Sequence, residues 1–265
     1  MARIVVKLGT STLAHPSGLL NIRRVEELCK VLSDLKNAGH EIILVSSGAI
    51  GMGVGKLSLT ARPDDTPTKQ AAAAVGQCEL MYTYDKAFSE YNHTVAQILL
   101  TAADVEDEGR FGNFRNTMHR LLELNVLPII NENDTVATEE IVIGDNDTLA
   151  AIVAVSMEAD LLILLSDIDG LYTADPHTDP TATLITEIPA ITDEIRSLAG
   201  GAGSHLGTGG MSTKLHAATI CMEQGCDMVI ANGAVPTALY DIADGKLIGS
   251  RFKCQERQGL SRQEG

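Results

Sequence analysis

The sequence predicts an α/β protein, an open and mostly parallel sheet sandwiched between helical layers. Three observations carry that expectation. Short, continuously apolar runs such as Ile42-Ile43-Leu44-Val45 and Leu161–Leu165 recur along the 265 residues, as expected of strands buried on both faces. Between them lie stretches with apolar residues three or four apart, the period of a helix with one buried stripe. The two patterns alternate, which is the signature of βαβ units.

The first strand runs from Ile4 to Leu8 and ends at Gly9. From Asn21 a helix follows, with Ile22, Val25, Leu28, Leu32 and Leu35 on one face and Gly39 closing it, and Ile42–Val45 completes the first βαβ unit. Beyond it the pattern gives a helix around Lys69–Tyr91, a strand around Val95–Leu100, a helix around Asn113–Asn125 and a strand around Val126–Ile130. A short hairpin near Ala137–Ile143 comes next, then helix Asp147–Met157, strand Leu161–Leu165, helix Met211–Gln224, strand Met228–Ala231 and a final strand near Leu247–Ile248. No Pro- or Ser-rich linker divides the chain. The glycine-rich stretch Ala199–Ser204 reads as a mobile loop within one domain.

Composition removes several classes of function. The chain carries 20 Lys+Arg against 35 Asp+Glu, a net charge of −15. Such a field repels a polyanion, and there is no clustered basic patch, so nucleic acid is not an expected partner. No apolar run approaches the ~18 residues of a membrane span, and the amino terminus has no signal-peptide core; the expected location is the cytosol, away from membranes. Five scattered cysteines without a C-x-x-C pair suit reduced thiols. A His/Cys metal centre is not expected.

In a sheet of this kind ligands gather at the carboxyl ends of the strands, and four such ends are suggestive. Lys7-Leu8-Gly9-Thr10-Ser11 sets a lysine in an apolar strand before glycine and hydroxyl residues, which suits a phosphate; a lysine snorkelling from a strand end is the plainer reading. Ser46-Ser47-Gly48, with Gly51, Gly53 and Gly55, forms a glycine-rich turn able to present backbone N–H groups to an anion. It is not a Walker A loop, since Gly55-Lys56 precedes Leu57. Asn131-Glu132-Asn133-Asp134 and Asp145-Asn146-Asp147 hold more polar residues than helix capping needs. They suit either a pocket for an amino group or oxygen ligands for Mg²⁺. Ser166-Asp167 ends a further strand. Gly207–Lys214 delivers Thr208, Gly209, Gly210, Met211, Ser212, Thr213 and Lys214 to a helix start, where phosphate is the natural partner. Two lysines, two glycine-rich turns and an acidic cluster together favour phosphoryl transfer.

The segments VKLGTS (6–11), SSGAIGMG (46–53), INENDTVAT (130–138), GDNDTLAA (144–151), SDIDGLYTADP (166–176) and GTGGMSTK (207–214) closely resemble, in this order, the amino acid kinase family. The pair INENDTVAT and GDNDTLAA matches its glutamate 5-kinase branch, and the resemblance runs from about Ile4 to about Gly249. It implies the carbamate kinase-like αβα sandwich as one kinase domain over residues 1–254, with glutamate on the amino-terminal half and MgATP on the carboxy-terminal half. A polar tail, 255–265, follows. Many bacterial members carry a further PUA domain, which is not expected here.

The resemblance further implies that Lys7 and Lys214 meet the phosphates and that Asp147 holds both lysines in place. Ser47, Gly48, Asp134 and Asn146, with Asn131 and Asp145, would meet glutamate. Gly9, Ser166, Asp167 and the 208–214 loop would meet ATP, whose phosphates would carry most of the Mg²⁺. The implied activity is phosphorylation of the L-glutamate γ-carboxylate, the first step of proline biosynthesis. L-Proline is the implied feedback inhibitor, and channelling to a glutamyl phosphate reductase would protect the product. A homodimer or homotetramer is expected, built on the Lys69–Tyr91 helix, whose Leu80, Met81, Tyr82, Tyr84 and Phe88 exceed one buried stripe. The rival readings are another family member with a different acceptor and a non-catalytic nucleotide-binding regulator.

Overall fold

The computed structural model describes residues 1–15, 19–137, 146–176, 178–199 and 210–254. In chain order the first elements are β1 (Arg3–Leu8), α1 (Thr10–Leu13), α2 (Ile22–Asn37), β2 (Glu41–Ser46), α3 (Ala49–Lys56), α4 (Thr66–Ser89) and β3 (Val95–Leu100). Then come α5 (Ala102–Glu106), α6 (Glu108–Glu123), β4 (Leu127–Glu132), α7 (Asn146–Ser156) and β5 (Leu161–Ser166). The last are β6 (Glu187–Ile188), α8 (Asp193–Leu198), α9 (Met211–Glu223), β7 (Asp227–Asn232), α10 (Ala238–Ala243) and β8 (Ser250–Phe252).

The strands form one sheet in the order β3-β4-β2-β1-β5-β7-β8-β6. All are parallel from β3 to β7; β8 runs antiparallel to β7, and β6 pairs parallel with β8. The order reverses at β1, which lies between β2 and β5. Successive side chains of a strand face opposite sides, and β1 obeys this: Ile4, Val6 and Leu8 join the core under α2, α4 and α10, while Val5 joins the core under α6, α7 and α9. Lys7 therefore shares a face with Val5. Among the described residues no helix is long and apolar enough to cross a membrane.

Most expected elements are present, with shifts that have local causes. Helix α4 starts at Thr66, before the expected Lys69, because Asp65 caps it by accepting from the Thr68 N–H at 2.9 Å. Helix α6 starts five residues before Asn113, capped by Asp107 on the Arg110 N–H at 2.8 Å. The final strand is Ser250–Phe252, not Leu247–Ile248: Ser250 and Phe252 are fully buried, whereas Leu247 is half exposed. Ile22, assigned to the buried stripe of α2, is exposed in its first turn. Residues 138–143 of the expected hairpin, 200–204 of the glycine-rich stretch and the 255–265 tail lie outside the described residues.

Two expectations are corrected. The glycines after Ser47 do not form an open turn: Gly48, at φ +100°, hands β2 directly to helix α3, which contains Gly51, Gly53 and Gly55. Gly53 and Gly76 let α3 and α4 touch backbone to backbone. A Cβ on Gly53 would stand 1.8 Å from the Ala72 carbonyl oxygen, and one on Gly76 1.8 Å from that of Ala49. Nor does α4 expose its aromatic surplus. Leu80, Tyr84 and Phe88 are buried in the core, Met81 is half-buried, and Tyr82 alone of that group is exposed.

Candidate active site

The site lies at the carboxyl ends of β1, β2, β4 and β5, where the order reverses. Its centre is Asp147 in the first turn of α7, fully buried. Lys7 reaches it from β1, Nζ to Oδ1 at 2.5 Å, and Lys214 from the first turn of α9, Nζ to Oδ2 at 3.0 Å. All three come from the face covered by α7 and α9, as the alternation along β1 requires. Thr213 supports the arrangement: its hydroxyl lies 3.1 Å from Asp147 Oδ2 and 2.8 Å from the Gly210 carbonyl oxygen, and its one hydrogen can be donated to either. Burial alone would raise the Asp147 carboxyl, but the Lys7 and Lys214 ammoniums outweigh it and hold it below the ordinary aspartate value. The carboxylate is thus ionised at neutral pH and keeps two cations side by side, where they would otherwise repel.

Beside this cluster is a layer of side-chain amides. Asn146 Nδ2 shares its two hydrogens among the Ser46 carbonyl at 2.8 Å, Ser47 Oγ at 2.7 Å and Asn131 Oδ1 at 3.0 Å. Asn131, at the end of β4 and fully buried, also accepts from the Glu132 N–H at 2.9 Å and donates through Nδ2 to Gln77 Oε1 at 2.8 Å. Ser46 Oγ is 2.8 Å from Tyr84 Oη. Asp134 follows β4 and is half-buried; burial pushes its carboxyl up, and the Arg62 guanidinium partly offsets that.

On the other side of Lys7, Gly9 N donates to the Leu165 carbonyl at 3.4 Å, which joins the two strand ends. Ser166 is buried, and its hydroxyl donates to the exposed Asp167 at 3.1 Å. Gly210 is the N-cap of α9, with no side-chain cap among the described residues, and Met211 and Ser212 form its first turn, whose N–H groups lack an intrahelical partner.

The structure therefore brings together Lys7, Asp147, Lys214, Thr213, Asn146, Ser47 and Asn131, with Gly48 adjoining. Asp145, Thr208 and Gly209 lie outside the described residues. The sequence reading missed Gln77, Tyr84 and Arg62 as parts of the site's surroundings. A glutamine within an alanine-rich helix looks like a surface residue, and only the seven-residue spacing of Gln70, Gln77 and Tyr84 hinted at a shared polar stripe.

The profile of the Amino acid kinase family matches residues 2–232. The chain belongs to the amino acid kinase family. It is 54% identical over 249 residues to the glutamate 5-kinase of Clostridium tetani, covering 94% of this chain and 93% of that protein. Identity to the glutamate 5-kinase of Listeria monocytogenes serovar 1/2a is 52% over 260 residues, covering 97% and 94%. The glutamate 5-kinase of Caldanaerobacter subterraneus is 53% identical over 250 residues, 94% of this chain and 67% of that longer relative. Among solved structures, carbamate kinase from Giardia lamblia bound to AMP-PNP aligns with TM-score 0.69 at 18% identity, covering 96% of this chain and 99% of that one. UMP kinase from Ureaplasma parvum gives 0.65 at 15%, covering 95% and 98%. At these identities the structural matches establish the family's fold and nothing finer.

Proposed function

We propose that the protein is a kinase transferring the γ-phosphoryl group of ATP to the γ-carboxylate of L-glutamate, giving L-glutamyl 5-phosphate and ADP, the first step of proline biosynthesis. The observation that carries the chemistry is the buried Lys7–Asp147–Lys214 cluster; identity above 50% to glutamate 5-kinases over nearly the whole chain carries the substrate. A glutamate side chain, with a reference pKa of ~4.3, is already a carboxylate at neutral pH, so no general base is needed. One of its oxygens forms a bond to the γ-phosphorus while the bridging β–γ oxygen bond breaks, and that electron pair leaves with ADP. The difficulty is electrostatic, since two anions must meet. Lys7 and Lys214 would neutralise the transferring group, and Asp147 would keep both ammoniums aimed and protonated.

In this reading the amino-terminal half holds glutamate through Ser47, Gly48, Asn131, Asp134, Asp145 and Asn146. The carboxy-terminal half holds ATP through Gly9, Ser166, Asp167 and the loop from Thr208 to Thr213. A carboxylate whose burial disfavours its charge, as in Asp134, gains most from an incoming ammonium. Among the described residues no group of three His, Cys, Asp or Glu side chains is placed to hold a metal, and Asp147 is committed to lysines. In this reading Mg²⁺ is carried on the ATP phosphates, where it would add positive charge. An ATP-dependent hydroxamate assay across glutamate, aspartate and N-acetylglutamate tests the assignment, because hydroxylamine traps an acyl phosphate. Strong turnover on glutamate alone is expected; equal turnover on N-acetylglutamate, which lacks the α-ammonium, would overturn it.

The same reading includes regulation and assembly. L-Proline, sharing the α-ammonium and carboxylate, would compete near Asp134 and Asn146, so activity unchanged by millimolar proline at low glutamate would count against it. The product is a labile acyl phosphate, which makes direct transfer to a glutamyl phosphate reductase advantageous; a solution trap that intercepts all of it in a coupled assay would exclude channelling. A homodimer or homotetramer would use the outer face of α4, where Ala71, Ala74, Cys78 and Tyr82 are exposed. Sedimentation of only a 28.1 kDa species at micromolar protein would rule that out.

A further inference from the structure

The amide layer has a direction, and that direction begins at the backbone. The Glu132 N–H can only donate, so it fixes the oxygen of Asn131 toward itself, at 2.9 Å. Asn131 Nδ2 must then point the other way, where Gln77 Oε1 accepts at 2.8 Å. Asn146 then presents its nitrogen to two groups that can only accept, Asn131 Oδ1 and the Ser46 carbonyl, and to Ser47 Oγ beside them. The two hydrogens of that nitrogen are shared among three contacts, which among the described residues leaves Asn146 Oδ1 as the group available to a ligand. The layer therefore ends in an acceptor, the correct polarity for an ammonium and the wrong one for a carboxylate.

Gln77 holds the far end of this chain and touches nothing that reacts. It is 7% exposed, and among the described residues its Nε2 has no hydrogen-bond partner, so its contribution is made through Oε1. Its depth is set by the neighbouring Gly76, at which α4 meets the Ala49 carbonyl too closely for any side chain. One heptad either way, Gln70 donates to the Ala137 carbonyl at 3.3 Å and Tyr84 pairs with Ser46 at 2.8 Å. One stripe of α4 is thus tied to the segment after β4, the end of β4 and the end of β2.

We infer that Gln77 is a positioning residue for substrate selectivity: by holding Asn131, it keeps Asn146 presenting an acceptor to the α-ammonium of the amino acid. This rests on the glutamate kinase reading, and the controls separate the two. If wild-type enzyme gives no ATP-dependent hydroxamate from glutamate, that reading has failed; if it does, the variants address Gln77. Gln77→Met keeps the volume and removes the acceptor. The expected result is a KM for glutamate raised about tenfold, with kcat and the KM for ATP within about twofold. Combined with Asn131→Ala, Gln77→Met should add little, because both act through one chain. Gln77→Glu, assayed above pH 7, keeps an oxygen acceptor and discards Nε2, and should restore the KM for glutamate to within about threefold of wild type. A merely structural role would move Tm and both KM values together. The inference is overturned by an unchanged KM in Gln77→Met, by full additivity with Asn131→Ala, or by equal effects on glutamate and ATP. Should Gln77→Met fail to fold, Gln77→Glu decides alone: a tenfold loss there points to Nε2 and refutes the inference.

Discussion

Replacing Asp147 by asparagine removes one charge and almost no volume. The structure gives the size of the consequence. Lys7 and Lys214 are 9% and 5% exposed and share a carboxylate that is 0% exposed, at 2.5 and 3.0 Å. Breaking a buried pair by neutralising one partner costs about 3–5 kcal/mol. Asparagine keeps an oxygen for one ammonium, so the lower end applies, about 3 kcal/mol, and Tm should fall on the order of 6–12 °C. ATP would supply the missing negative charge, so it should raise the Tm of Asp147→Asn more than that of wild type. The lysines, no longer aimed, should serve the transition state poorly, and kcat should fall roughly 10²–10³-fold, the usual cost of a lost preorganised electrostatic contact. Poorer catalysis with undiminished ATP affinity is thus the signature, read by thermal shift with and without MgATP and by single-turnover kinetics. The pH dependence follows the same logic. Because the folded carboxyl titrates below its unfolded value, its stabilisation is fully present above about pH 4 and is lost as pH falls through the lower folded value. Asp147→Asn should lack that acid limb. A kcat within threefold of wild type, or ATP affinity lost in proportion to kcat, would refute the assignment.

Lys214→Ala should lower kcat roughly 10²-fold or more, because the charge it meets grows in the transition state, whereas Asp134→Ala should chiefly raise the KM for glutamate; exchanged phenotypes would mean the halves are wrongly assigned. Since burial raises the Asp134 carboxyl above its ordinary 3.8, the KM for glutamate should climb as pH falls toward that raised value. The climb should be shallower in Asp134→Asn, where only the substrate's own carboxylate titrates, and identical profiles in the two proteins would count against the role. Gly76→Ala should destabilise by about 2–3 kcal/mol or prevent folding, since its Cβ would overlap the Ala49 carbonyl oxygen at 1.8 Å. Gly112→Ala is its control: it lies within α6 with no atom within 4 Å of its Cβ and should be neutral or stabilise by about 0.5–1 kcal/mol. Urea denaturation measures both, and equal midpoints would dismiss the close-packing argument.

The strands were legible because burial on both faces leaves a continuous apolar run, as in Leu161–Leu165, which no exposed element reproduces. Helices α1, α5, α8 and α10, of four to six residues, and the two-residue β6 are too short to display a period. Helix α3 was hidden for another reason. Four glycines within or capping eight residues argue against a helix at about 1 kcal/mol each, and only the contact with α4 through Gly53 and Gly76, distant in sequence, reverses that judgement. The same blindness to long-range contact turned Tyr84 and Phe88 into an expected surface. At the site, Lys7 was legible as a charge inside an apolar strand and Lys214 as the end of a glycine-rich approach to a helix, whereas the link of Asp147 to both lysines came from the family resemblance. Gln77 was not legible, since a neutral amide announces nothing until its partner, 54 residues away, is in place.

The topology explains how, under the proposed assignment, one carboxylate would serve both substrates. The chain lays β2, β3 and β4 to one side of β1, then returns to place β5 and β7 on the other. The return passes through α7, which packs against β1, β2, β4, β5 and α9. Asp147, in its first turn, is therefore the acidic residue in contact with the central strand through Lys7 and with the later layer through Lys214. The preceding residue, Asn146, faces the amide layer instead. Under the proposed assignment, two adjacent positions on one helix end would fix the polarity of the amino-acid half and the charge of the phosphate half. Any displacement of α7 moves both together, and in-line transfer demands that coupling, because acceptor and donor must align within a fraction of an ångström.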